Sequence, residues 1–512
     1  MKDFLAQHGD KIVGTLSCFD RVVITGTIPG ICYSQGMSDY LRHRGIRLFD
    51  YTKWAEPLRE RVRANAQAVA ADSKLDIIHI RSSKTRKEDC VARILEQRGD
   101  GPGMVAILSA MEGCPTFQPW HDKQTHRTTL RYREAKCLHY YFYFILEDLG
   151  LCYLRVPTWA PFRLQFYFNG HNWLAAQLRE AGVGFDTRDN AFVSIDDYEL
   201  AQRLSDGFDP ASLHRSLNQL AHRLCPVVAD FPQGVYWSLM QVEYATDVIF
   251  KRQADLAPLY EEIVRTAIHS VKPENVATFL GRKLNGNYRD EIGNDFHTRI
   301  EGTRIKHHMG KVAIKMYDKF QLVLRVETTA NDVRFFKHWR EVIHRDGTRG
   351  KKFADMRKHI YSLGALREVM GAANARYLDF VAAVADPTAS LKDLERLSRS
   401  VREKSRGFGG FNFFDGEDSE ALRTILDPGL CLTGLRHSAL REYFPDKSPG
   451  QISYLLKRLR KHGLIKKVGR TYKYYITALG RRAGLMALKI KEMCVIPLLR
   501  GMLTPAVENC RA

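Results

Sequence analysis

Apolar and polar positions alternate in short runs over the first part of the chain. Residues 19–28 read as an early strand closed by Pro29-Gly30. Residues 38–44 and 54–71 have helical spacing, 77–80 form a strand and 86–98 a further helix. The apolar run 104–108 suits a buried strand, and the basic stretch 116–133 a loop or hairpin tip. Aromatic strands follow at 138–146, 152–156 and 162–168, the last ending in the turn signal Asn169-Gly170. A helix at 173–181 stops at Gly182. Strands alternating with helices predict a mixed α/β sheet domain over residues 1–198.

Helical spacing then takes over. Residues 217–224, 236–250 and 259–269 are expected as helices, as is most of 331–402, including 353–370 and 374–384. Within this helical domain, 199–402, a β-hairpin is expected at about 297–329. Its period of two puts Lys315, Tyr317 and Lys319 on one face of the first strand and Arg325 and Glu327 on one face of the second. The glycine-rich segment 405–412 marks a linker, placed at 403–424. Beyond it, Ser448-Pro449-Gly450-Gln451 is a helix start with a capping box. Ile452, Leu455, Leu456 and Leu459 recur at helical spacing, and Gly463 suits the helix end. A hairpin across Gly469-Arg470 comes next.

Charge changes the picture from fold to partner. The 512-residue chain carries a net +20, and from Lys447 to Arg482 it contains eleven Lys and Arg and no Asp or Glu. A solvated helix face normally mixes signs, so this one calls for a polyanion. No segment approaches the roughly 18 consecutive apolar residues of a membrane span, and the first residues lack an apolar signal core. The ten cysteines form no C-x-x-C pair. Buried thiols in a reducing cytoplasm are the expectation, with no metal and no cofactor; no phosphate-binding glycine loop is present.

Two stretches resemble known families. Helix, turn, helix and hairpin over 425–490, with Leu459-Arg460-Lys461-His462-Gly463-Leu464-Ile465 followed by Tyr474-Tyr475-Ile476-Thr477 and Gly480, resemble winged-helix domains of MarR- and ArsR-type bacterial regulators. The resemblance implies a helix in the major groove. Gln451, Ser453, Tyr454 and Lys457 would face base edges, Arg458 and Lys461 would add contacts, and Lys466, Lys467, Arg470 and Lys473 would hold phosphates. Lys315-Met316-Tyr317-Asp318-Lys319 followed by Leu324-Arg325-Val326-Glu327 resembles a strand pair of filamentous-phage and rolling-circle replication initiators. That resemblance makes Tyr317 a candidate nucleophile and Glu327 a candidate base or metal ligand. The adjacent His307 and His308 depart from the H-u-H pattern of one main nickase class.

The expected molecule is thus an α+β multidomain protein with an N-terminal mixed α/β sheet domain, a central helical region with a β-hairpin, a winged helix and a tail at 491–512. Lys315, Lys319 and Arg325 form a second basic surface, with Tyr317 able to stack on a base; the alternative is a structural role for Arg325 and Glu327. Asp20, Glu243 and Asp247 are a possible carboxylate cluster for metal-assisted phosphodiester chemistry, or Glu243 and Asp247 salt-bridge Lys251 and Arg252. The favoured function is a cytoplasmic bacterial nucleic-acid-binding protein of mobile-element or plasmid type, with DNA as partner, no membrane, and oligomeric state open. A structured-RNA-binding protein and a nickase or nuclease of replication-initiator type remain as alternatives.

Overall fold

The computed structural model describes residues 1–512 apart from 83, 283–287, 289, 300–301, 345, 386–392, 394, 404–405, 428–429, 431–433, 470 and 491–512. The chain is α+β and divides into two compact units, Met1–Ala385 and Asp386–Ala512.

The first unit contains strands β1 (Ile12–Thr27), β2 (Ile77–Ile80), β3 (Gly103–Asp122), β4 (Arg127–Leu146), β5 (Gly150–Pro157), β6 (Leu164–Asn169), β7 (Phe185–Arg188), β8 (Ala191–Ile195), β9 (Tyr236–Phe250), β10 (Ile292–Arg299), β11 (Gly302–Met309), β12 (Val312–Lys319) and β13 (Val323–Ala330). Eleven of them make one sheet in the order β10-β11-β12-β13-β9-β1-β6-β5-β4-β3-β2. The pairing is antiparallel except between β2 and β3, which makes the sheet mixed. β7 and β8 form a separate hairpin, as do β14 (Lys337–Ile343) and β15 (Arg349–Asp355).

This sheet crosses the boundary expected near residue 199. β9 pairs with β1 on one side and β13 on the other, so the expected N-terminal and central domains share one sheet. The predicted helix at 236–250 is the strand β9. Central strands are covered on both faces and lose clean alternation; from Tyr244 to Phe250 every residue is buried. The expected helices from 331 likewise give way to β14 and β15, and the helix begins at Leu363. In this helix, Leu363–Ala385, residues Leu366, Met370, Ala373, Tyr377 and Val381 recur at helical spacing and are fully buried. Asn374 pins it to the sheet: Nδ2 donates to Tyr244 O (3.0 Å) and Thr246 Oγ1 (3.1 Å), and Oδ1 accepts from Thr328 Oγ1 (2.7 Å). The basic stretch at 116–133 is the tip of the long β3–β4 hairpin.

The second unit begins near residue 386. Part of the expected linker is ordered: β16 (Val401–Glu403) pairs with β17 (Arg406–Phe408), and a helix spans Gly416–Ile425. Helices His437–Tyr443 and Pro449–Lys461 follow, then β18 (Ile465–Lys467), β19 (Tyr474–Ile476) and a helix at Ala478–Ile490. Leu435 bridges to Tyr474, adding a short third rung beside the hairpin. The capping box forms: Ser448 N donates to Gln451 Oε1 at 2.7 Å, and Gln451 N to Ser448 Oγ at 3.4 Å. Ile452, Leu455, Leu456 and Leu459 are buried in a core with Leu440, Phe444 and Leu464. Gly463, at φ +77°, ends the helix in a left-handed conformation. The expected tail 491–512 lies outside the described residues.

Candidate functional site

The chemistry of the first unit gathers on one face of the β12–β13–β9–β1 strands. Registers place Tyr317, Arg325 and Asp247 in one row across three strands, Lys315, Glu327 and Ala245 in the next, and Ala313, Thr329 and Glu243 in the third. Glu243 and Asp247 share a face because 243, 245 and 247 alternate outward together on a strand. Asp20 reaches this face from a bulge: the β1–β9 register shifts between Phe19 and Val22.

Asp20, Glu243 and Glu327 each offer a carboxylate oxygen within 4.8 Å of the others, a spacing at which they could hold a metal ion. Lys315 Nζ lies 2.6 Å from Glu327 Oε1 and 3.1 Å from Glu243 Oε1. Tyr317 Oη donates to Glu327 Oε2 at 2.8 Å. Thr329 Oγ1 donates to Glu327 at 3.2 Å, and Gln241 Nε2 to Glu243 at 3.1 Å. Asp247 takes a different partner. Arg325 donates to both its oxygens, Nε at 2.6 Å and Nη2 at 2.7 Å, and Nη1 reaches Asp20 Oδ2 at 3.4 Å.

A cover over this face completes the network. Asn169 caps the helix Gly170–Glu180, its Oδ1 accepting from His171 N at 2.8 Å, while its Nδ2 donates to Asp20 at 2.9 Å. The helix start presses against β1: a Cβ on Gly170 would lie 2.1 Å from Phe19 O, so only glycine fits. At the β7–β8 turn, Asn190 Nδ2 donates to Asp20 at 3.0 Å, and Asn190 O accepts from Arg325 at 2.8 Å. Arg325 Nη2 also points at His171 Nε2 at 2.9 Å, leaving Nδ1 at 3.3 Å from Asp20. Burial and Arg325 oppose a charged His171, but Cys18, Asp20 and Asp247 prevail and raise the imidazole well above its ordinary value. Against that pull, Arg325 Nη2 can only donate, so its contact requires a lone pair on Nε2 and puts the ring proton on Nδ1, towards Asp20.

Electrostatics sorts the acids into two kinds. Burial would raise Asp247, but Arg325 and then His171 overcome it and hold the carboxyl down to about 2. Burial likewise opposes ionised Asp20, yet His171, Arg325 and Asn169 hold it well below its ordinary value. Glu243 goes the other way: burial and then the charge of Glu327 raise it. Burial would depress the Lys315 ammonium, but Glu327 and Glu243 hold it above its usual value. Burial, then Glu327, pushes Tyr317 well up, so its phenol stays protonated. Four carboxylates thus face two cations, Arg325 and Lys315.

This arrangement corrects the expected second basic surface. Arg325 is 0% exposed. Lys319 is buried against Asp189 (3.1 Å) and Asn190, and Lys315 is engaged by two glutamates. The strand period assigns the shared faces but not the cover that turns them inward. Glu243 and Asp247 do not pair with Lys251 and Arg252; Arg252 bonds Asp255 and Lys251 donates to Asp10 O. His171, Asn169 and Asn190 had no local signal in the sequence beyond the Asn-Gly turn.

In the second unit the expected contact residues divide. Ser453 and Lys457 are exposed on the helix Pro449–Lys461, and Lys466 is exposed on β18. Lys467 and Lys473 are half-buried, with Lys467 Nζ 5.5 Å from the ring of the exposed Tyr472. Gln451 spends its oxygen on the helix cap. Tyr454 stacks on Phe408 at 5.5 Å. Arg458 is committed inside the unit, with Nη1 and Nη2 on Asp418 at 2.6 and 2.8 Å, Nε on Gly409 O at 2.9 Å and the guanidinium 4.1 Å over Phe411. It serves packing, in place of the expected nucleic-acid contact. Lys461 pairs with Glu403. Arg470 lies outside the described residues.

No protein-family model, curated protein or solved structure matches this chain. Among the described residues no helix is long and apolar enough to cross a membrane.

Proposed function

We propose that the chain is a nucleic-acid-binding protein of bacterial mobile-element or plasmid type, with its second unit engaging duplex DNA. The observation that carries this reading is the order of elements around an acid-free basic stretch. Two helices, a capped third helix and a β18–β19 wing follow one another as in a winged helix, and no Asp or Glu occurs from Lys447 to Arg482. Ser453 and Lys457 stand exposed on the third helix, with Lys466 and Tyr472 on the wing. Such a helix enters the major groove while the wing tracks the backbone. Competition among duplex DNA, single strands and cellular RNA tests this. Duplex DNA is expected to win at the wing, with Lys466→Ala and Lys467→Ala lowering affinity; RNA displacing it would favour the structured-RNA alternative.

A second reading, a nickase, draws on one specific contact. Tyr317 Oη sits 2.8 Å from Glu327. In that chemistry Glu327 takes the phenol proton as Oη bonds phosphorus and the scissile ester oxygen leaves. Asp20, Glu243 and Glu327 are the residues that would hold a divalent cation there. The half-buried Tyr317 and the Lys315 ammonium between two of the acids place this reading second. Nicking of supercoiled plasmid with magnesium or manganese, lost in Tyr317→Phe and Glu327→Gln, is its test; no cleavage with either metal retires it.

A further inference from the structure

The β14–β15 hairpin stands apart from the large sheet and pairs only with itself. Its register sets Trp339 opposite Phe353, Glu341 opposite Lys351 and Ile343 opposite Arg349. These six alternate onto one face, and all six are exposed. Trp339 is 71% and Phe353 51% exposed, with ring centroids 5.9 Å apart and planes inclined at 55°. Large aromatic side chains left in water at this level on a two-stranded ribbon call for a ligand.

Charge decides which kind. From Lys337 to Asp355 the sequence has six Lys and Arg against three Asp and Glu. Lys337 lies 3.6 Å from Asp355, while among the described residues Arg349 and Lys351 face no carboxylate within ion-pair distance. Cores of protein–protein interfaces are depleted in lysine. Aromatic faces flanked by unpaired cations are instead the composition of a single-strand platform, where bases stack and the backbone is tracked by charge. Phe353 and Lys337 also line a cavity of about 280 Å³ together with Arg282, Arg376 and Glu368, so the platform adjoins a niche with three cations and one acid.

We infer that the β14–β15 hairpin binds single-stranded nucleic acid, stacking unpaired bases on Trp339 and Phe353 while Arg349 and Lys351, on the same face, neutralise phosphates. This surface is separate from the duplex contact proposed for the second unit, and neither requires the other. A two-stranded ribbon can also enter a major groove. The outward face, however, offers base edges little beyond Glu341, Lys351 and Arg349.

The test uses the full chain, a labelled oligo(dT) and a labelled duplex, each titrated over a range of salt. Trp339→Ala with Phe353→Ala is expected to weaken oligo(dT) binding roughly tenfold or more, leaving duplex binding within about twofold. Arg349→Ala with Lys351→Ala is expected to weaken oligo(dT) binding and lower the salt slope by about 1.4, near 0.7 for each lost phosphate contact. Lys466→Ala with Lys467→Ala should reverse the pattern, weakening duplex binding alone; its failure would count against the second-unit reading and not against the hairpin. The inference is overturned if the chain does not bind oligo(dT), if both hairpin variants bind it as the parent does, or if they lose duplex binding to the same extent.

Discussion

Arg325 and Asp247 face each other across β13 and β9 as a two-pronged ion pair, Nε and Nη2 each reaching one carboxylate oxygen at 2.6 and 2.7 Å. Both side chains are almost completely buried, and Asp20 and His171 share the same guanidinium. Removing one partner of such a pair leaves a buried charge without compensation. Arg325→Met is therefore expected to cost about 3–5 kcal/mol. Arg325→Lys should recover only part, because an ammonium cannot reproduce the planar fork. Urea unfolding of the three proteins measures this; a shift under about 1 kcal/mol for Arg325→Met would mean that the network is dispensable.

The same pair sets an acid limit. Asp247 has its folded-state pKa held down to about 2, below its ordinary value. A carboxylate depressed in this way contributes stability that is fully present above about pH 4 and is lost as pH falls towards 2. Its share is about 2 kcal/mol. Asp20, depressed by the same partners, adds in the same direction. Urea midpoints measured from pH 6 to pH 3 should fall, and Asp247→Asn, although less stable at pH 6, should show a shallower fall. Parallel curves for the two proteins would count against this assignment.

Glu243 is expected to behave oppositely. Burial and the neighbouring Glu327 raise its pKa, so ionisation disfavours the native state as pH rises past the ordinary glutamate value. Glu243→Gln removes that charge and leaves Lys315 its closer contact, Glu327 at 2.6 Å. The variant should gain on the parent in urea midpoint at pH 7 relative to pH 4. Manganese should stabilise the parent and not the variant if the three carboxylates share a cation. A variant less stable than the parent at pH 7 would show Glu243 to be a net asset to Lys315.

How these residues meet was only partly legible in the sequence. Alternation assigned Lys315, Tyr317, Arg325 and Glu327 to their strand faces, and the structure keeps each pairing of faces. It did not say what lay above those faces, because the cover comes from Asn169, His171 and Asn190, over a hundred positions away. Glu243 and Asp247 lie four apart on the stretch whose spacing predicts a helix; on β9 they share a face equally well, since both periods bring them together. Trp339, Val342 and Ile343 also fell at helical spacing, which hid β14. The local signals of the second unit, the Ser448 cap and the glycine at 463, are short-range chemistry and survived intact. Asp20 could not be placed from sequence, because a bulge in β1 decides its face.

Lys457 and Arg458 are neighbours on one helix, and the structure gives them opposite tasks. Arg458 is held by Asp418, by Gly409 O and over Phe411, all within the second unit. Arg458→Ala strands the largely buried Asp418 and removes a cation–π contact, so the unit should lose about 2 kcal/mol of stability. Lys457 is exposed and makes no described contact of this kind. Lys457→Ala should leave the melting temperature unchanged while lowering duplex affinity and reducing the salt slope by about 1. Thermal melts and salt-dependent duplex titrations of the two variants separate the tasks. If Lys457→Ala left both affinity and slope as in the parent, the exposed face of this helix would not touch the phosphate backbone, and the proposed docking of the second unit would have to be abandoned.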